Sequence, residues 1–231
     1  MNGLASGMIV LVVGANGGIG EGVVRQFEQA GADVITHAGH SEGDLTDEQA
    51  CRAFFQEAAA RKGRLDAVVN SAGVQPVRQL DGMTAAQWRE VIDTNLTIAF
   101  NCTQAAVQVM RETGGSVTHI ASIEGTRPAR GHGHYSAAKA ALIMHARSAA
   151  LEYGPLGIRC NTVSPGLVER PGIAEQWPEG VASWQRASPL GRLGKPEDVG
   201  NACVFLASPM GTWITGHDLV VDGGMSTSPA W

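Results

Sequence analysis

Two residues capable of acid–base chemistry, Tyr135 and Lys139, lie four positions apart in the stretch HGHYSAAKAALIMHARSAALEYG (132–154). The stretch is predicted to be a helix, and residues i and i+4 share one face of a helix. A free tyrosine titrates near pH ~10 and exchanges protons poorly at neutral pH. An ammonium beside the phenol favours the phenolate, so this spacing predicts a tyrosine with a lowered pKa that acts as a general acid or base.

A serine precedes this pair at the end of a predicted strand, GSVTHIAS (115–122). The hydroxyl of Ser122 can hydrogen-bond a substrate oxygen as negative charge develops on it. Taken singly, each residue has a commoner role, because helical tyrosines pack, helical lysines are solvated and strand-end serines cap turns. The combination of Ser122, Tyr135 and Lys139 favours a catalytic role.

A glycine-rich turn, VVGANGGIGEGVV, lies between a predicted strand and a predicted helix near the N-terminus. Gly14 permits a tight reversal, Gly18 a close approach of the backbone to a pyrophosphate, and Gly20 the packing of helix on strand. The first N–H groups of the helix present a partial positive charge to the phosphates. A glycine cluster alone also fits a structural turn, but its position here predicts a dinucleotide site.

The elements that position these residues alternate between short apolar runs and amphipathic stretches. Strands are predicted over 8–14, 33–37, 65–73, 115–122, 158–166 and 217–224, and helices over 18–30, 46–62, 84–112, 134–153 and 196–207. This alternation predicts an α/β fold, a doubly wound, Rossmann-type parallel sheet in one domain spanning 1–231.

One connection departs from this pattern. Only AGHSE separates the second strand from GDLTD (43–47). A crossover helix with its loops needs roughly ten residues or more. The sequence therefore predicts a shortened connection after the second strand.

Composition excludes several other classes of function. The net charge of −5, without a long run of Lys and Arg, gives no footprint for nucleic acid. The apolar run MIVLVV is too short for a signal peptide or a membrane span, so the cytoplasm is expected. No CxxC or HExxH spacing predicts a metal site, and the cysteines are expected to be buried thiols: Cys51, Cys102, Cys160 and Cys203.

The glycine spacing GxxxGxG resembles the first motif, TGxxxGIG, of the short-chain dehydrogenase/reductase family. The match is Gly14, Gly18, Ile19 and Gly20, with Val13 at the threonine position. Further stretches resemble that family's motifs in its order, over essentially the whole chain: GDLTD, NSAG, DTNL, IAS, YSAAK and NTVSPG. The resemblance implies a NAD(P)(H)-dependent oxidoreductase that transfers hydride between the nicotinamide and a carbonyl or secondary alcohol.

The resemblance also implies roles for individual residues. Tyr135 passes the proton, Ser122 steadies the oxygen, Lys139 tunes Tyr135 and holds the nicotinamide ribose, and Asn95 binds a water that connects Lys139 to solvent. The cofactor-binding residues, besides Tyr135 and Lys139, are expected to be Gly14, Asn16, Gly17, Gly18, Ile19, His37, Ala38, Asp44, Leu45, Asn70, Ala72, Gly73, Pro165, Gly166 and Val168.

The choice between NAD and NADP is normally made at the end of the second strand, where an acidic residue bonds the ribose 2′-hydroxyl of NAD. Ala38 fills that position, so nothing there repels a 2′-phosphate. Gly17 stands where NADP-dependent relatives often have arginine. His37, His40 and Ser41 either contact a phosphate or lie in a solvated loop, and the balance favours NADP by a small margin.

The substrate side is expected to come from two segments. Residues 167–190 resemble the family's mobile lid, where Trp177 and Trp184 either cover a substrate or pack the lid on the body, and Arg170 replaces a common threonine. The loop 124–134 joins Ser122 to Tyr135. Its basic residues either bind an anionic substrate or form a polar loop, the preferred reading for most of them: Arg127, Arg130, His132 and His134.

The sequence leaves open the class of substrate, a non-catalytic alternative and the oligomeric state. The substrate is either a 3-oxoacyl thioester on an acyl carrier protein or a sugar, polyol or cyclic alcohol, and the acidic net charge weakly disfavours an acidic carrier. A non-catalytic dinucleotide sensor would not need Ser122, Tyr135 and Lys139 together. The resemblance implies a homotetramer, or a dimer, through helices 84–112 and 134–153, with small residues permitting close packing: Ala137, Ala138, Ala141 and Ala149.

Overall fold

A computed structural model of the protein describes residues 3–39 and 42–227. These residues form one parallel sheet in the order β2-β1-β3-β4-β5-β6. Its strands are β1 (Ile9–Val13), β2 (Asp33–His37), β3 (Ala67–Asn70), β4 (Gly115–Ile120), β5 (Ile158–Pro165) and β6 (Asp218–Val221). The central strands β1, β3 and β4 are buried on both faces, and this burial explains the continuous apolar sequence of β1. The predicted doubly wound fold is confirmed.

Helices cover both faces of the sheet. Their bounds are α1 (Gly18–Gln29), α2 (Glu48–Lys62), α3 (Ala85–Ile92), α4 (Ile98–Met110), α5 (Gly133–Tyr153), α6 (Ile173–Gln176), α7 (Pro178–Ala187) and α8 (Pro196–Ala207). One apolar core lies between the sheet and α2, α4 and α5, and the other between the sheet and α1 and α8. The four cysteines are buried free thiols, as predicted. None of the helices in the described ranges is long and apolar enough to cross a membrane.

The connection after β2 is short, as predicted. Between His37 and Glu48 the described residues contain no α-helix and no strand. As a result β2 pairs only with β1 within the described sheet and forms its edge. This places the end of β2 beside the glycine turn, with the backbone N–H groups of Gly14 and Ala15 both donating to the His37 carbonyl.

The helix predicted over 84–112 contains a π-helical segment, Asp93–Thr97, between α3 and α4. A π-helical turn inserts an extra residue and often marks a functional site. Asn95 lies at its centre and is fully buried. The sequence pattern predicts Asn95 within this helix but does not predict the irregular turn.

Helices α1 and α8 are in close contact because both carry glycine where they cross. A Cβ added at Gly200 would lie 2.7 Å from the Gly22 carbonyl oxygen and 2.8 Å from Cγ of Gln26. Neither α1 nor α8 can move away without opening the core beneath them. The two glycines therefore set the distance between the helices.

We expect Gly200→Ala to lower the free energy of unfolding by ~1–3 kcal/mol, since an overpacked core is strained. Asn201→Ala is the control, because Asn201 is the exposed neighbour of Gly200 on α8. That variant should match the wild type or gain up to ~0.7 kcal/mol, since Ala has the higher helix propensity. Urea unfolding of both variants measures the difference, and equal stabilities would contradict the close packing.

Candidate active site

Tyr135 and Lys139 lie on one face of α5, as predicted. The Lys139 ammonium is 5.4 Å from the centroid of the Tyr135 ring and donates to the Ile120 carbonyl at 2.8 Å. Ser122 comes from the end of β4, and its hydroxyl hydrogen-bonds with the Tyr135 side chain. The three side chains meet at the carboxyl edge of the sheet, where ligands of open α/β sheets bind.

Burial is the largest cause of the pKa shifts of Tyr135 and Lys139. It raises the pKa of the Tyr135 phenol to about 12; the hydrogen bond with Ser122 opposes this rise and the Glu124 carboxylate adds to it. It also lowers the pKa of the Lys139 ammonium to about 8. The lowered tyrosine pKa predicted from the spacing is thus wrong for the protein alone, because desolvation of the phenolate outweighs the nearby ammonium.

Asn95 reaches the same group from the π-helical turn. Its side-chain amide donates to the carbonyls of Val74 and Val91, each at 2.9 Å, which fixes its orientation. Its Oδ1 is buried and accepts no hydrogen bond from the described residues. A Cβ added at Gly73 would lie 2.7 Å from this Oδ1 and 3.4 Å from Nζ of Lys139. Only glycine at position 73 leaves a polar cradle between the acceptor and the ammonium.

The glycine turn is built as the sequence predicts. Gly14 has φ +75°, and a Cβ there would lie 2.7 Å from the Ala72 nitrogen. A Cβ at Gly20 would lie 2.0 Å from the Gly14 carbonyl oxygen. By contrast, a Cβ at Gly18, the first residue of α1, meets no described atom within 4 Å. The residues Gly14–Ile19 therefore leave open the start of α1, where a pyrophosphate fits without steric conflict.

A buried hydrogen-bond chain supports the neighbouring NSAG turn. The Thr103 hydroxyl donates its only proton to the Ala99 carbonyl at 2.8 Å, so His119 and His145 must each donate to Thr103 through Nε2, at 2.9 and 3.0 Å. Burial lowers the pKa of His119 to about 3, so its ring is neutral.

The neutral His119 ring presents Nδ1 as an acceptor, which Asn70 Nδ2 approaches at 3.4 Å. The Oδ1 atom of Asn70 then accepts from the Ala72 nitrogen at 3.1 Å. The tautomer of His119 thus fixes the amide of Asn70. The sequence analysis predicted Asn70 and Ala72 but not the histidine that orients them.

The end of β2 differs from the expectation that nothing there repels a 2′-phosphate. The His37 side chain is buried with its ring 4.8 Å from that of Phe54. The Ala38 backbone N–H donates to Glu42 Oε2 at 2.7 Å, which brings a carboxylate to the strand end. His40 and Ser41, two further candidates for phosphate contacts, lie outside the described residues.

The residues expected around the adenine are anchored by the following turn. Asp44 Oδ1 accepts from the backbone and the hydroxyl of Thr46, at 2.9 and 2.7 Å. Leu45 is buried, and its carbonyl accepts from the Asn101 side chain at 3.0 Å. Asp44 itself is exposed to solvent.

The residues expected at the nicotinamide lie at the end of β5 and in the segment after it. Gly166 donates to the Val221 carbonyl, and a Cβ there would lie 2.7 Å from the Trp184 ring. Val168 forms an isolated bridge with Gly194. Trp184 packs with the small apolar cluster that carries α6 and α7, whereas Trp177 is 54% exposed.

The basic residues of the loop 124–134 separate into three groups. Arg127 and Arg130 are exposed. His134 is fully buried, and its Nδ1 accepts from the Tyr135 backbone N–H at 2.9 Å, so it faces the interior. His132 lies near the Tyr135 ring and contacts Glu124, a residue that the sequence analysis did not single out.

The fold and site define a dinucleotide-dependent oxidoreductase, and comparison with known proteins identifies its family. A family model described as enoyl-(acyl carrier protein) reductase matches residues 36–226. A 3-oxoacyl-[acyl-carrier-protein] reductase FabG of Chlamydia muridarum is 34% identical over 98% of this chain and 100% of its own length. A cis-4-hydroxycyclohexanecarboxylate dehydrogenase of Sinomonas cyclohexanicum is 35% identical over 94% of this chain and 95% of its own.

Comparison with solved structures agrees with these sequence similarities. The aldohexose dehydrogenase of Thermoplasma acidophilum superposes with a TM-score of 0.92 at 28% identity, covering 100% of this chain and 98% of that one. The chain belongs to the short-chain dehydrogenase/reductase family. It is an NAD(P)-dependent oxidoreductase acting on carbonyl and CH–OH groups, and nothing supports the alternative of a non-catalytic sensor.

Tyr135→Phe should reduce kcat by ~10²–10⁴, because positioned general acids and bases contribute this much. In the wild type, kcat/KM for alcohol oxidation should rise from about pH 7 to about pH 10, because the phenolate is the base and its pKa is raised. Steady-state kinetics across pH test both expectations. A Phe variant that retains the rate and the alkaline rise would contradict the assignment.

Lys139→Met should remove activity without lowering stability at pH 7. Burial lowers the Lys139 pKa from 10.5 to about 8, and each unit corresponds to about 1.4 kcal/mol, so the buried ammonium costs about 3 kcal/mol. This cost is fully present below about pH 8 and fades towards pH 10.5. The melting temperature of the variant should therefore equal or exceed that of the wild type at pH 7, and this advantage should shrink near pH ~10. A large loss of stability at pH 7 would contradict the burial cost.

Proposed function

We propose that this protein oxidises a secondary alcohol to a ketone, or runs the reverse reaction, with NAD(H) as its cofactor. The observation that carries the proposal is the meeting of Ser122, Tyr135 and Lys139 beside the open glycine turn. When bound, the nicotinamide accepts or supplies the hydride at C4. The hydroxyl proton of the alcohol passes to Tyr135 in the oxidation, so that one hydride and one proton leave the substrate.

The chain's own residues divide this work. Ser122 donates to the substrate oxygen as it gains charge, Tyr135 exchanges the proton, and Lys139 holds the ribose and stabilises the phenolate. The Oδ1 acceptor of Asn95, which lies with the Lys139 ammonium around Gly73, supports its proposed role in anchoring a water. The positive charge of the oxidised nicotinamide would oppose the effect of burial on the Tyr135 pKa.

The remaining proposed contacts follow the cleft from end to end. The turn Gly14–Ile19 receives the pyrophosphate, with Asn16, Gly17 and Gly18 at the open face. Asp44 and Leu45 lie at the adenine, and Asn70, Ala72 and Gly73 line the middle of the cleft. Pro165, Gly166 and Val168 lie at the nicotinamide end.

The proposal of NAD(H) rests on Glu42. Its backbone N–H donates to the Gly39 carbonyl at 2.9 Å, and its carboxylate accepts from the Ala38 N–H at 2.7 Å. A carboxylate at the end of β2 suits a ribose 2′-hydroxyl and repels a 2′-phosphate. From Asp33 to Asp47 the sequence contains four acidic residues and no Lys or Arg. Glu42 therefore outweighs the small margin by which the sequence alone favoured NADP.

Glu42→Gln should raise the affinity for NADPH relative to NADH by about tenfold, because it removes the charge but keeps an acceptor for the Ala38 N–H. Glu28→Gln, an exposed change on α1, is the control. Titrations followed by nicotinamide fluorescence and by the shift in melting temperature give both affinities. Tighter binding of NADPH by the wild type, or no change in Glu42→Gln, would contradict the role of Glu42.

We also propose a homotetramer in the cytoplasm. Large apolar side chains are exposed on α3, α4 and α5, the helices of the expected interface: Trp88, Phe100, Met144 and Leu151. Where such side chains form one surface, that surface commonly marks an interface. Ala141 is exposed near Met144, whereas Ala138 and Ala149 are buried within the chain. Light scattering on the purified protein measures the mass of the assembly.

A further inference from the structure

A carboxylate lies beside the proposed reacting oxygen. Glu124 is two residues beyond Ser122, and its backbone N–H donates to Ser122 Oγ at 3.1 Å. Its charge acts on Tyr135, whose pKa it helps to raise. The side chain is only 16% exposed. Glu124 thus lies within electrostatic range of the catalytic tyrosine, in the segment between β4 and α5.

Two side chains from other segments hold this carboxylate. Gln75, just after the NSAG turn, donates through Nε2 to Glu124 Oε1 at 2.7 Å. His132, at the start of α5, donates through Nδ1 to Oε2 at 2.9 Å. The Ser136 hydroxyl contacts the same oxygen at 3.5 Å. Three segments that border the cleft therefore converge on one acidic side chain.

The donor and acceptor roles of the side-chain atoms determine which groups this cluster can bind. A carboxylate cannot donate, so Nδ1 of His132 carries the proton and, in the neutral ring, Nε2 is an acceptor. Gln75 donates from its amide nitrogen, so its Oε1 is also an acceptor. In the described part of the chain neither of these atoms receives a hydrogen bond, and Glu124 has lone pairs beyond those that accept from Gln75 and His132.

With the His132 ring neutral, the cluster carries the single negative charge of Glu124. Among the described residues no Lys or Arg pairs with Glu124, and Arg127 and Arg130 are exposed. A substrate carboxylate or phosphate would be repelled here. A hydroxyl group is the neutral group that donates to such acceptors, and hydrogen bonds to charged acceptors are about twice as strong as neutral ones.

We propose that Gln75, Glu124 and His132 form a subsite for a second hydroxyl group of the substrate, so that the preferred substrates are neutral diols or polyols. The inference rests on the proposed function and deepens it. The second hydroxyl is bound and unchanged, while oxidation takes place at the carbon beside Ser122 and Tyr135. The 3-oxoacyl part of an acyl thioester presents only acceptors and gains nothing from this subsite.

The test compares substrates that differ by one hydroxyl. We expect kcat/KM for trans-cyclohexane-1,2-diol to exceed that for cyclohexanol by about tenfold or more, as for sites built to bind a substrate hydroxyl. Glu124→Gln should remove most of this preference, so that the ratio of the two kcat/KM values falls towards one at each pH. It should also move the alkaline rise of the rate to lower pH, because it removes a charge that raises the Tyr135 pKa. Glu152→Gln, an exposed change on α5, should change neither.

The outcomes separate the inference from the proposed function. Turnover without a diol preference, a preference that survives Glu124→Gln, or faster reduction of acetoacetyl thioesters would overturn the subsite alone. No dinucleotide-dependent turnover of any alcohol, ketone or thioester would overturn both. If Glu124→Gln does not fold, Gln75→Ala, in an exposed segment, should still reduce the preference by about threefold or more, and an unchanged preference would overturn the subsite.

Discussion

The burial of one ammonium group, that of Lys139, constrains the rest of the site. A buried cation needs a hydrogen-bond acceptor, and the Ile120 carbonyl at the end of β4 provides it at 2.8 Å. The same contact ties α5 to the edge of the sheet and brings Tyr135 to Ser122. Gly73 and the π-helical turn that carries Asn95 complete the surroundings of the ammonium. Burying this charge costs free energy, and the contacts that offset this cost also bring Tyr135 and Ser122 together.

Residues set by local rules could be predicted from the sequence. A parallel strand buried on both faces gives a continuous apolar run, as in β1. The turn after it needs the positive φ of Gly14 and the absence of a Cβ at Gly20. The i, i+4 spacing placed Tyr135 and Lys139 on one face of α5. The absence of a crossover helix after β2 could also be predicted, because such a helix needs more residues than this segment contains.

Effects of residues that are distant in sequence but close in the fold could not be predicted from the sequence. The direction of the Tyr135 pKa was missed because burial, which a spacing does not report, outweighs a single neighbouring ammonium. Glu42 was missed because it lies five residues beyond the end of β2 in the sequence, although its carboxylate accepts from the Ala38 N–H in the fold. Glu124, Gln75 and His119 belong to contacts between distant segments. Each resembles an ordinary polar residue until the fold brings its partners together.

The central claim is direct hydride transfer at the carbon beside Ser122 and Tyr135. The measurement that tests it most directly uses NADH carrying deuterium at C4, in separate samples of each stereochemistry, with a panel of ketones and analysis of the products by mass spectrometry. The account predicts an alcohol with one deuterium on its carbinol carbon from one stereoisomer of the cofactor only. Alcohol that carries only solvent hydrogen at that carbon, or no reduction of any ketone, would contradict it.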